Sequence, residues 1–96
     1  MNEILNGSVT RELQIINEKG LHARASAKFV ETVERFDATA IVVKDGERVS
    51  GDSIMGLLML VAPRGSAITV TTSGPEAASL MDALERLIGD YFGEGM

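Results

Sequence analysis

The chain holds one histidine, His22, and places it in Gly20-Leu21-His22-Ala23-Arg24-Ala25-Ser26, where an alternating segment gives way to a helical one. A histidine at the first turn of a helix sits beside amide N–H groups that have no partner within the helix, and beside the positive end of the helix dipole. That is a place for an anion, and a phosphate on His22, bearing close to two negative charges, would be held there without being enclosed. The same positive end, with Arg24 two residues on, disfavours the imidazolium and leaves a ring nitrogen as a nucleophile. Arg24 and the backbone N–H groups of Ala23 and Arg24 could donate to the transferred oxygens, while Gly20 allows the backbone twist that exposes the ring. Taken alone, a single histidine at a helix entry is also a common surface or capping residue, so this pattern leaves both readings open.

Other chemistries find less material. With no cysteine, there is no thiol nucleophile, disulfide or thiolate metal site, and one histidine without cysteine does not make a usual metal centre. No cofactor is expected. A formal net charge of −5 without a Lys/Arg run argues against gripping nucleic-acid phosphates. There is no Walker-type loop, so self-phosphorylation from ATP is not expected. The longest apolar run, Ile54 to Ala62, is about half the ~20 residues of a membrane-spanning helix. The N-terminus lacks the basic and apolar regions of a signal peptide. A cytoplasmic, monomeric protein without membrane insertion is expected.

The elements that position His22 follow from periodicity. Residues 1–7 read as a loose leader, 8–92 as one domain and 93–96 as a flexible C-terminus. In Ser8 to Ile16, Val9, Leu13 and Ile15 share one parity, the signature of a half-buried strand. From Ala23 to Phe36, Phe29, Val30, Val33 and Phe36 recur at helical steps. Thr39 to Asp45 reads as a strand, Asp45-Gly46 as a hairpin turn needing positive φ, and Glu47 to Ser50 as its return. Ser53 precedes a short apolar helix and could cap it, with Leu57 and Leu60 as its core residues. Ser66 to Thr72 alternates again, with Ile68 and Val70 inward. Pro75 suits a first helical position, and Met81, Leu84, Leu87, Ile88 and Tyr91 form the last apolar stripe. The order β-α-β-β-α-β-α predicts an α+β open-faced sandwich: a four-stranded, largely antiparallel sheet covered on one face by three helices.

Gly20-Leu21-His22-Ala23-Arg24, Ala27, Phe29-Val30, Phe36, Asp45-Gly46 and Ser53-Ile54-Met55-Gly56 together resemble the HPr family of the phosphoenolpyruvate-dependent phosphotransferase system. The resemblance runs from about Leu13 to Tyr91. It implies a phosphocarrier, not an enzyme: His22 takes a phosphoryl group on Nδ1 from enzyme I, Arg24 is the active-site arginine, and EIIA-type proteins receive the group in sugar uptake or its regulation. It also implies regulatory phosphorylation of Ser53 by HPr kinase/phosphorylase. Ala25, Lys28, Ile54, Met55 and Leu58 would form a shallow apolar docking surface around the histidine, where a flexible Met suits several partners. Ala25 stands where many members have proline, and Glu31 and Glu34 where basic residues are frequent. These departures keep open a regulatory, nitrogen-type branch without sugar transport, beside a purely regulatory protein-binding module.

Overall fold

A computed structural model describes residues 4–5 and 7–96. Five antiparallel strands form one sheet: β1 (Ile4–Leu5), β2 (Ser8–Gln14), β3 (Thr39–Lys44), β4 (Glu47–Ser50) and β5 (Ala67–Ser73), in the spatial order β1-β2-β5-β3-β4. The four expected strands make the body of this sheet. Ile4 and Leu5, inside the stretch expected as a leader, pair with Val9 and Ser8 at its edge, and residues 1–3 and 6 of that stretch lie outside the described residues.

Strand parity decides what the sheet covers. Val9 and Leu13 of β2, Ala40 and Val42 of β3, and Ile68 and Val70 of β5 are buried on one face, while Thr10, Glu12 and Gln14 of β2 face out. The register Val9↔Thr72, Leu13↔Ile68 and Val42↔Val70 aligns these inward residues across three strands, because a one-residue slip would turn each apolar set to water. Thr72 shares that inward parity and satisfies its hydroxyl by donating to the Ala77 carbonyl at 2.7 Å. Asp45 (φ +50) and Gly46 (φ +83) form the β3–β4 turn, with Lys44 opposite Glu47, as the Asp-Gly pair predicts.

Three helices pack on the buried face: α1 (Ala23–Glu34), α2 (Ile54–Met59) and α3 (Ala77–Gly89). Helix α1 buries Ala25, Phe29, Val30 and Val33; Phe36, beyond its end, is partly buried against the same core. Helix α3 buries Leu80, Met81, Leu84 and Ile88. It starts later than Pro75 suggests: a turn closed by the Ala77 N–H on the Gly74 carbonyl comes first, with Glu76 exchanging hydrogen bonds with the Asp37 backbone. Pro75 therefore sits in the turn and not at the first helical position. The end of the last stripe also differs. Helix α3 stops at Gly89, and the chain hooks back through Tyr91 (φ +57), Phe92 (φ +53) and Gly93 (φ +76). This reversal buries Phe92 and leaves Tyr91 at the surface.

Candidate functional site

His22 is the N-cap of α1, with φ −76° and ψ −178°, and its carbonyl accepts the first helical bond from the Ser26 N–H at 2.9 Å. Two features of the preceding loop set it there. Leu21 is buried and donates its N–H to the Ala62 carbonyl at 3.0 Å, tying the loop to the segment after α2. Gly20 has φ +65°, and a Cβ there would lie 2.4 Å from the Ala62 oxygen. Only glycine suits both the angle and the approach. Leu21 thus anchors inward while the next side chain, His22, is turned toward water, 27% exposed.

No side chain caps α1, and no described group accepts from the N–H groups of Ala23 or Arg24. These are unpaired donors at the positive end of a three-turn helix, beside the imidazole. Arg24 is exposed and makes no hydrogen bond or ion pair among the described residues, so its guanidinium is available to an anion. Lys19 and Lys28 line the same cleft as His22 and Arg24. The Lys28 ammonium donates to the Phe92 carbonyl at 2.6 Å, which holds the C-terminal hook against α1.

The ring nitrogens of His22 have different surroundings. Nε2 is paired with Oε2 of Glu94, and no described residue bonds Nδ1. The other oxygen of Glu94 accepts from Nδ2 of Asn17 at 3.0 Å, and the same Nδ2 donates to the Gly20 carbonyl at 2.9 Å. Burial pushes the Glu94 carboxyl up; the hydrogen bonds from His22 and Asn17, with the charges of His22 and Lys19, outweigh it and hold the carboxyl below the ordinary Glu range. Sequence reading missed Asn17, Lys19 and Glu94. Asn17 continues the parity of Leu13 and Ile15 past the end of β2, a polar residue after two buried apolar ones, and that is the available signal. Glu94 carried none, since it arrives from the far end of the chain.

Ser53 is the N-cap of α2, and its Oγ accepts from the Gly56 N–H at 3.0 Å, as the sequence suggests. It does not line the His22 cleft. On α2, Leu57 is buried, Leu58 is half-buried, and Ile54 and Met55 are exposed, Met55 by 68%. Met59 and Val61 are exposed as well, so the apolar surface extends beyond the expected residues. Ala25 is a correction: it is 0% exposed, lying one helical turn before Phe29 on the core side of α1, and cannot belong to a docking surface.

An imidazole with one unengaged nitrogen, two unpaired amides and the unpaired Arg24 guanidinium has the chemistry to receive an anion or a phosphoryl group. Comparison with known proteins places the chain accordingly. Residues 9–90 match the family described as "PTS HPr component phosphorylation site". The chain is 49% identical over 85 residues to phosphocarrier protein HPr of Neisseria meningitidis, covering 88% of this chain and 96% of that one. It is 46% identical to that of Cupriavidus necator over the same shares. Among solved structures, HPr-C-His from Thermoanaerobacter tengcongensis superposes with a TM-score of 0.86 at 34% identity, covering 91% of this chain and 98% of that one. HPr from Bacillus anthracis superposes at 0.80 with 40% identity, covering 84% and 96%.

The chain belongs to the HPr family of the phosphotransferase system, and it is a phosphocarrier and not a catalyst. Among the described residues no helix is long and apolar enough to cross a membrane.

Proposed function

We propose that Nδ1 of His22 accepts a phosphoryl group from phosphorylated enzyme I and passes it to EIIA-type proteins, in sugar uptake or its regulation. One observation carries this reading: the single histidine stands at an uncapped helix N-terminus with Nδ1 unengaged and Arg24 unpaired. The lone pair of Nδ1 attacks phosphorus, the Nδ1–P bond forms, and the bond from phosphorus to the donor breaks with its electron pair leaving on the donor. The N–H groups of Ala23 and Arg24 and the Arg24 guanidinium hold the equatorial oxygens, where charge spreads during transfer. Donation to EIIA-type proteins is the same step reversed onto a new acceptor. Incubation with enzyme I and labelled phosphoenolpyruvate gives acid-labile, alkali-stable phosphate in the wild type and none in His22→Ala. Unlabelled wild type beside an active cognate enzyme I contradicts the reading.

Ser53 supports a regulatory second step. A phosphate on its Oγ would still face the first turn of α2, where phosphate is electrostatically welcome, so HPr kinase/phosphorylase could modify it without unwinding the helix. ATP and the source organism's kinase should label Ser53; label elsewhere removes this role. Glu31 and Glu34 are exposed on α1 and favour partners less acidic at their docking face, which suits a nitrogen-type branch as the alternative to sugar transport. Ile54, Met55 and Leu58, with Lys28, would meet these partners. The protein acts in the cytoplasm as a monomer in this reading; an HPr dimer from T. tengcongensis makes self-association a property worth measuring.

A further inference from the structure

We propose that Glu94 is a positioning residue for His22: its carboxylate keeps the ring proton on Nε2 and so leaves the lone pair on Nδ1. The inference rests on the phosphoryl-acceptor reading of Nδ1 given above.

A neutral imidazole carries one N–H, and the nitrogen without it is the nucleophile. An ionised carboxylate only accepts, so its contact with Nε2 requires the proton there. Glu94 is itself held. Its side chain is 15% exposed, and its second oxygen is bound by the fully buried Asn17. The amide of Asn17 has only one workable orientation, because both groups facing Nδ2, the Gly20 carbonyl and the Glu94 carboxylate, are acceptors. Its Oδ1 is left buried without a partner among the described residues. Such a group costs stability, and here it accompanies a fixed Asn17–Glu94–His22 chain.

The backbone that delivers Glu94 is also costly. Tyr91 and Phe92 are aromatic residues at positive φ, a region such side chains seldom adopt. Burial of Phe92 and the Lys28 bond to its carbonyl retain the hook. Strain kept in place by packing, two and three residues before the group that touches the reacting ring, is of the kind found at functional sites.

During transfer the consequence is direct. When the Nδ1–P bond forms, the ring keeps its Nε2–H, becomes cationic, and is stabilised by the carboxylate. When that bond breaks, the electron pair returns to Nδ1 and no proton on Nε2 has to move. A base oriented by a third group is a recurring arrangement for nucleophiles.

The test compares the full chain with Glu94→Ala and Glu94→Gln. Nitrogen-15 NMR of the unphosphorylated imidazole at pH 8 should show the proton on Nε2 in the wild type. In Glu94→Ala the Nδ1–H tautomer should rise several-fold, and initial labelling by enzyme I should fall about tenfold with the KM for the donor within about twofold. Glu94→Gln keeps one oxygen that can accept from Nε2–H but turns an NH2 toward the Asn17 donor and removes the charge, so it should hold more of the Nε2–H tautomer than Glu94→Ala and regain only part of the rate. Unchanged tautomers in Glu94→Ala, or a rate that is unchanged or raised, overturn the proposal. A wild type that takes no label contradicts the phosphocarrier reading, whereas a labelled wild type with an indifferent Glu94→Ala removes the positioning role alone.

Discussion

Two helices of this molecule begin with a residue able to carry phosphate, and their first turns are built differently. At α2 the Ser53 hydroxyl already accepts from the Gly56 N–H, so that terminus is closed by its own cap. At α1 the N-cap is His22, which caps nothing, and the Ala23 and Arg24 amides stay unpaired. The surroundings differ as well. The cleft at His22 is lined by Lys19, Arg24 and Lys28 together with Glu18 and Glu94, whereas Asp52 stands next to Ser53 with its carboxylate accepting from the Ser50 hydroxyl. A capped terminus stabilises its helix; an open one gives up that contribution and keeps its donors for a visiting anion.

If open amides and a free guanidinium hold the phosphoryl group, Arg24→Ala should lower the initial rate of labelling by enzyme I about a hundredfold. Arg24 is exposed and unpaired among the described residues, so urea unfolding should move by no more than about 0.5 kcal/mol. Equal losses in rate and stability would mean that Arg24 is structural.

Gly20→Ala attacks the loop that presents His22. The φ of +65° and the 2.4 Å approach to the Ala62 oxygen predict a loss of about 2–3 kcal/mol by urea unfolding, with slower labelling of what remains folded. Ser53→Ala probes the closed terminus. Loss of the cap should cost about 1 kcal/mol while labelling of His22 stays within about twofold. A large labelling defect there would join the two termini that the structure keeps separate.

The smallest effect concerns pH. Glu94 is held below the ordinary Glu range, so the folded protein binds that proton less readily than the unfolded chain. The stability this contributes is complete above the unfolded value, about 4.3, and is lost as pH falls through the folded one. The gap in thermal midpoint between wild type and Glu94→Gln should therefore be open at pH 7 and narrow progressively as the pH falls below the unfolded value.

What could be read without coordinates was local. The parity of Val9 and Leu13, the Asp45-Gly46 turn and the Ser53 cap each depend on neighbours a few residues away, and each took the expected form. His22 at the opening of α1 was legible for the same reason. Ala25 lies next to the His22-Ala23-Arg24 motif in sequence, but its four-residue step to Phe29 turns it to the core side of α1, where it is buried. The C-terminal hook was less accessible. Its reversal uses positive φ at Tyr91 and Phe92, residues that do not announce a turn, and the stripe ending at Tyr91 suggested a longer helix. Glu94 meets His22 from the opposite end of the chain, a contact that no periodicity encodes.

The open-terminus account is tested most directly by locating the phosphorus atom. Phosphorus-31 and nitrogen-15 NMR of the protein after reaction with enzyme I and phosphoenolpyruvate should show phosphorus bonded to Nδ1 of His22. Phosphorus on Nε2, or on any other residue, would contradict it.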